Sequence, residues 1–194
     1  MAIRSLKTGS FSRSTQVGNQ VIMPGSYESI ATVTPYTTTS TVVFSSIPST
    51  YQHLQIRFFT RTSRANQEDN IQLRFNSDSA GNYAAHVLYG DGATAGSFSD
   101  GSSITFNTRS VVAAASSTSG VFGVGVIDIL DYANTSKYKT VRSLNGYDSN
   151  GTGQVRLSSG LWMSTTAINS ITIVPANGPN FVANSHWALY GIKG

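Results

Sequence analysis

The chain has 194 residues, of which 39% are hydrophobic and only 11% charged, and it contains no cysteine. That length and apolar content allow one sizeable core, while the missing cysteines exclude a disulfide framework, a thiolate nucleophile and cysteine-bound zinc. The net charge of +4 is gathered at the start: Arg4, Lys7 and Arg13 precede the first acid, Glu28, and setting them aside leaves 10 basic against 9 acidic residues. So neutral a body gives no sign of a nucleic-acid-binding face.

Met1 to Gly25 carries scattered apolar residues (Ile3, Leu6, Phe11, Val17, Val21, Ile22) without a helical or strand period, and ends on the Pro24-Gly25 turn signal. It reads either as a disordered leader or as an arm that orders against another protein. Arg4, Leu6, Lys7, Phe11 and Arg13 are its candidate contacts. Basic residues are present, but no apolar stretch of signal-peptide length follows them, so the ordinary secretory route is not expected. No run reaches the roughly 18 apolar residues of a membrane span.

From Tyr27 the pattern becomes one of short strands. Tyr27–Thr34 and Thr41–Ser45 come first, followed by the Pro48 corner and Gln52–Thr60. In that last run Leu54, Ile56 and Phe58 share one face, and His53, Gln55 and Arg57 the other. Residues 61–70 read as a polar loop, and Ile71–Phe75 as a strictly alternating strand. Tyr83–Tyr89 is open between strand and short helix, but Gly90-Asp91-Gly92 marks its end. Residues 93–103, rich in Gly and Ser, read as a long loop, with a strand starting at Ile104–Phe106.

Val121–Leu130 is a mostly apolar run whose glycines at 123 and 125 permit close backbone approach. Lys137–Leu144 reads as a strand and 145–153 as a turn. Gln154–Leu157, Gly160–Met163, Ile168–Val174 and Ser185–Ile192 complete the set. Eight to ten one-faced strands without a repeat predict an all-β protein, an antiparallel β-sandwich. Its expected form is a jelly roll, although strand spacing alone does not separate that from an immunoglobulin-like topology. The expected division is an arm over 1–25 and the sandwich over 26–194.

Candidates for chemistry are sparse. His53, His86 and His186 fall into no spacing that would pair two metal ligands. The nine carboxylates are scattered, and the serines lack a nucleophile elbow. Asp91 in Gly-Asp-Gly reads as a turn in preference to a calcium ligand. Neither a cofactor, a metal nor enzymatic activity is expected. Tyr83, Tyr89, Tyr147 and Trp162, in or beside loops, are candidates for stacking on a sugar or a neighbouring subunit.

Several stretches together carry a resemblance. They are MAIRSLKTGSFSRSTQVGN at 1–19, SYESIATVT at 26–34 and IPSTYQHLQIR at 47–57. DILDYANTSKYKTVRSLNGYD at 128–148, LSSGLWMSTTAINSITI at 157–173 and ALYGIK at 188–193 continue it. With these the chain resembles a family of small virion proteins of tailed bacteriophages, many of them from marine and cyanobacterial phages. The resemblance implies a structural protein of the particle with an N-terminal attachment arm and a displayed sandwich, often a homotrimer. Its implied partner is a capsid or tail protein of the same virion, and head and tail both remain open. A receptor-binding tip that holds host-surface glycan is the alternative, and a polysaccharide hydrolase the third reading. Release by lysis fits the missing signal segment, and the lack of cysteine suits assembly in a reducing cytosol. Neither nucleic acid nor membrane is an expected partner.

Overall fold

Alternation of period two decides where the chain is extended, and every strong run of it forms a strand. The computed structural model describes residues 25–194 and the backbone of two short strands before them. Those are β1 (Thr15–Val17) and β2 (Gln20–Ile22), which pair antiparallel as a separate two-stranded sheet. The candidate anchoring residues Arg4, Leu6, Lys7, Phe11 and Arg13 lie outside the described residues.

Twelve strands follow. They are β3 (Tyr27–Val33), β4 (Val42–Phe44), β5 (His53–Thr60), β6 (Glu68–Phe75), β7 (Tyr83–Gly90) and β8 (Ala95–Ile104). Then come β9 (Asn107–Ala113), β10 (Gly123–Leu130), β11 (Lys139–Asp148), β12 (Gly153–Trp162), β13 (Ile171–Pro175) and β14 (His186–Ile192). One sheet has the order β3-β14-β5-β10-β11-β12-β7-β8 and the other β4-β13-β6-β9. Every named strand pair in both is antiparallel.

The order settles the topology. The first four strands of the large sheet and the four of the small one interleave as two Greek keys, β3-β14-β5-β10 facing β4-β13-β6-β9. This is a jelly roll. Two hairpins, β7–β8 and β11–β12, are inserted between its strands and extend the large sheet beyond β10. Spacing along the chain could not reveal this, because a hairpin reads the same wherever it docks.

Several segments differ from the sequence expectation, among them residues 145–148, which extend β11 and are not part of the turn. Residues 95–104 form the edge strand β8 and not a loop, since β7 offers a free ladder that Ser and Gly backbone can pair with. Strand β9 begins at Asn107 and β6 reaches back to Glu68, because each pairs with the other despite polar side chains. Gly153–Trp162 forms one continuous strand, with Ser158, Ser159 and Gly160 in the ladder and not in a break.

The core lies between the sheets. Leu54, Ile56 and Phe58 of β5 point into it, alongside Ile127 and Ile129 of β10 and Trp187 and Leu189 of β14. Each such side chain contributes roughly 1.5–3 kcal/mol on burial. Phe58 stacks on Trp187 at 5.0 Å, and Phe181 meets the same indole edge-on at 5.2 Å. Gly125 is required by this cluster: a Cβ there would run into the Phe58 ring and the Asn145 side chain.

Candidate functional site

The aromatic candidates separate into two groups. Tyr83 and Trp162 are buried in the core and are not available as stacking platforms, which corrects the sequence expectation. Their strands end at loops, but both side chains turn inward, where Trp162 packs 5.5 Å from Phe75 and 6.3 Å from Tyr83. The Tyr83 hydroxyl accepts from the Phe75 backbone N–H and donates to the Asp78 carbonyl, and the Trp162 indole N–H donates to the Asp78 carboxylate at 2.7 Å. Burial pushes the Tyr83 hydroxyl up to about 12.

Tyr89 and Tyr147 are half-buried. Tyr89 packs against Phe98 at 6.2 Å, and Tyr147 donates to the Glu68 carboxylate at 3.4 Å. Burial first, and the Glu68 charge second, raise the Tyr147 hydroxyl above its ordinary range. The structure does not bring the four aromatics together on one accessible surface.

The histidines are also separate from one another. His53 Nδ1 accepts from the Asp131 backbone N–H at 3.0 Å, His186 meets Thr34, and His86 stands exposed on β7. Among the described residues no three His, Cys, Asp or Glu side chains are placed to hold a metal ion. The Asp91 carboxylate accepts from the N–H groups of Ala93 and Thr94, as a turn residue does, and these bonds hold it below its usual range.

A different feature stands out, on the outer face of the large sheet. In the middle of β11 and β12 the usual inside-apolar pattern is inverted. Ser143, Asn145, Arg156 and Ser158 are buried between the sheets, while Leu144, Val155 and Leu157 face solvent. The register sets Leu144 opposite Leu157, and Leu157 opposite Leu88 of β7, with Val126 of β10 on the other side of Leu144. The adjacent row holds Phe59, Val124, Gly146, Val155 and Gly90. Leu88, Val124, Leu144, Val155 and Leu157 are each between 46% and 58% exposed. Cross-strand neighbours on one face are in contact range, so these side chains form one continuous aliphatic surface. Single exposed leucines are ordinary, but a contiguous patch is informative.

Polar groups border the patch on one side. The row Gln55, Asp128, Arg142, Ser159, His86 and Ser99 crosses five pairings of the sheet. Asp128 accepts from Gln55 at 2.7 Å and from Arg142 at 2.9 Å. Arg57 lies over the rings of Tyr27 and Tyr190, at 5.4 and 5.7 Å from their centroids, and donates to Gln55. An open groove of about 540 Å³ runs between the two kinds of surface, along His86, Leu88, Ser97, Arg142, Leu157 and Ser159. At the opposite end Asp91 and Asp148 share a hollow with Val124 and Val155.

The inward polar groups explain why the pattern can invert. The Val111 N–H donates to Asn145 Oδ1 at 2.7 Å, Asn145 donates to Ser143 Oγ at 3.1 Å, and Ser143 and Ser110 hydroxyls meet at 3.1 Å. Arg156 reaches Asn70, the Arg109 carbonyl and Glu68. Buried polar groups are tolerated when paired in this way; the Ser158 hydroxyl, also buried, has no such partner. Sequence reading missed this face because alternation alone does not say which of two faces is covered. The signal available was Leu144 and Leu157 standing out of phase with Val141 and Trp162.

Comparison with protein families and with curated proteins finds no match. Among solved structures, the chain is similar to the crystal structure of the galectin LEC-6 of Caenorhabditis elegans, with 10% identity and a TM-score of 0.30. That alignment covers 82% of this chain and 94% of the galectin.

Proposed function

We propose that this protein is a non-enzymatic structural component of a bacteriophage particle. On this reading its N-terminal segment attaches it to a capsid or tail protein, and its jelly roll is displayed as part of a homo-oligomeric assembly. The observation that carries the reading is the inverted pattern of β11 and β12, which spends aliphatic side chains on an outer face and polar ones on the interior. A subunit built to stand alone gains nothing from that arrangement, whereas a subunit of an assembly buries the outer face on docking. The phage assignment itself rests on the sequence resemblance.

The test is particle incorporation. Deleting residues 1–25 is expected to leave a folded sandwich, measured by circular dichroism, that no longer joins particles formed in its presence. Normal incorporation of the truncated protein would overturn attachment through the arm.

Glycan binding is the second reading, favoured by the groove in which His86, Arg142 and Ser159 lie beside Leu88 and Leu157. Hydrogen-bonding groups next to an apolar strip are the chemistry a sugar ring requires. A glycan array without hits, together with host adsorption unchanged by the free protein, would exclude it.

A further inference from the structure

We infer that the outer face of β10, β11, β12 and β7 is where a second copy of this chain docks, sheet to sheet, about a twofold axis. This rests on the reading of that face as an assembly surface and names its occupant. Three observations point to a second copy.

The first is the chemistry of the patch centre. Leu88, Leu144, Val155 and Leu157 are branched aliphatics without a polar handle. Sugars are held by flat rings and directed hydrogen bonds, whereas interdigitating aliphatic side chains are the way two sheets pack face to face.

The second is charge. Arg142, whose side chain is 65% exposed, borders the patch at one end of the strands, beside Asp128, to which it donates at 2.9 Å. Asp91 and Asp148 border it at the other end, and both are exposed. A twofold axis lying across the strands, midway between the row Leu144–Leu157–Leu88 and the row Val124–Gly146–Val155, reverses strand direction, lays each aliphatic row on the partner's other one and sets Arg142 over the partner's Asp148. An axis along the strands would not, since it sets like end against like end. The reach is adequate. Asp148 lies three residues to one side of this axis and Arg142 three residues to the other, each about 10 Å away.

The third is area. Five half-exposed aliphatic side chains and Phe59 amount to roughly 500–600 Å² of apolar surface, at the top of what single subunits expose. A standard interface buries about 800 Å² per partner. The arginines, aspartates and serines bordering the patch supply the remainder. An isologous pairing uses the same patch twice, and twofold dimers are the commonest closed assembly. It differs from the threefold assembly that the sequence resemblance implies.

The experiment uses the full chain and measures mass by light scattering during gel filtration, with circular dichroism as the folding control. Wild type is expected as a dimer. Leu144→Asp with Leu157→Asp is expected as a folded monomer. Arg142→Asp is expected to weaken the dimer at least tenfold, and adding Asp148→Arg with Asp91→Arg is expected to restore it, because the two ends then exchange charge. Since the chain has no cysteine, Leu157→Cys provides an independent check: near the axis, with the sheets about 10 Å apart, a short bis-maleimide should join it to its copy in a covalent dimer. A monomeric or trimeric wild type would overturn the inference. A dimer indifferent to the aspartates, or not restored by the charge exchange, would overturn it equally. Failure here is separable from failure of the particle reading: a monomer that still joins particles sinks only the pairing, and a dimer that never joins them sinks only the particle role.

Discussion

Between β5, β10, β13 and β14 the two sheets are separated by large side chains, whereas under β11 and β12 they close on serine, glycine and asparagine. In the first region Trp187, Phe58 and Phe181 form one aromatic cluster among Leu54, Ile56, Ile127 and Ile173, and the outer face carries Gln55, Arg57 and Asp128. In the second, β9 lies so close that a Cβ on Gly160 would collide with the Asn107 amide. There the interior is held by the Ser110, Ser143 and Asn145 hydrogen bonds, and the aliphatic residues are outside. The jelly-roll half therefore carries its hydrophobic stabilisation internally. The inserted hairpins place Tyr83, Val141 and Trp162 in the core and Leu88, Leu144, Val155 and Leu157 on the outer surface. A region organised in this way keeps its polar groups, most of them hydrogen-bonded, on the inner face and its aliphatic ones on the outer face.

Substitutions can break this contrast in order of size. Trp187→Ala empties the centre of the aromatic half and is expected to cost about 3–5 kcal/mol, read as a drop in the urea midpoint. Ser143→Leu forces a large side chain into the closed seam and separates the Ser110 and Asn145 partners. Overpacking there is expected to cost about 1–3 kcal/mol in the same assay. A stabilised variant would show that the seam is not closed.

Tyr83→Phe removes two hydrogen bonds and is expected to cost about 1 kcal/mol at neutral pH. It also tests a pH dependence whose direction is fixed. The Tyr83 hydroxyl is raised from 10.0 to about 12 in the fold, so the stabilisation tied to its proton is complete below about pH 10. It is lost as pH rises from there toward 12, and the Phe variant should lack that part of the alkaline loss. At the other extreme, burial raises the Asp78 carboxyl but donors from Asn82, Trp162 and Ala80 outweigh it and hold the group below its usual range. Stability that depends on this carboxylate is present above the ordinary aspartate range and is lost as pH falls through the lowered value. Asp78→Asn should flatten that acid limb. Smallest of all, Leu88→Lys on the outer face is expected to change the stability of the isolated subunit by less than about 0.5 kcal/mol. A large loss at low protein concentration would mean that the aliphatic face already stabilises the single subunit.

Much of the first region was legible. Leu54, Ile56 and Phe58 alternate with polar neighbours, so both the strand and its buried face follow from the residues alone. The same holds for Ile71, Leu73 and Phe75. The second region was legible as strand but not as face. Reading Tyr83 and Trp162 as loop aromatics failed because closeness to a turn says nothing about which way a side chain points. That direction is set by register, and register by the Tyr83–Trp162 pairing between β7 and β12. Strand β8 was missed because Ala95–Ile104 lacks the apolar period, and its extension comes from the open ladder of β7. Arg57, which the sequence places only on the face opposite Leu54, Ile56 and Phe58, rests on two tyrosine rings brought together from β3 and β14.

The sequence by itself determined that this chain forms short one-faced strands, that they must stack as two antiparallel sheets, and that no cysteine chemistry is available. These follow from composition and a period of two, which are local properties. Tertiary structure alone decided the jelly-roll order, the docking of two hairpins beside β10 and the outward turn of Leu144, Val155, Leu157 and Leu88. The reason is physical: which face of a strand is inside depends on what covers it, and under β11 and β12 a hydrogen-bonded seam with β9 took the inner side and left the aliphatic side to the outside.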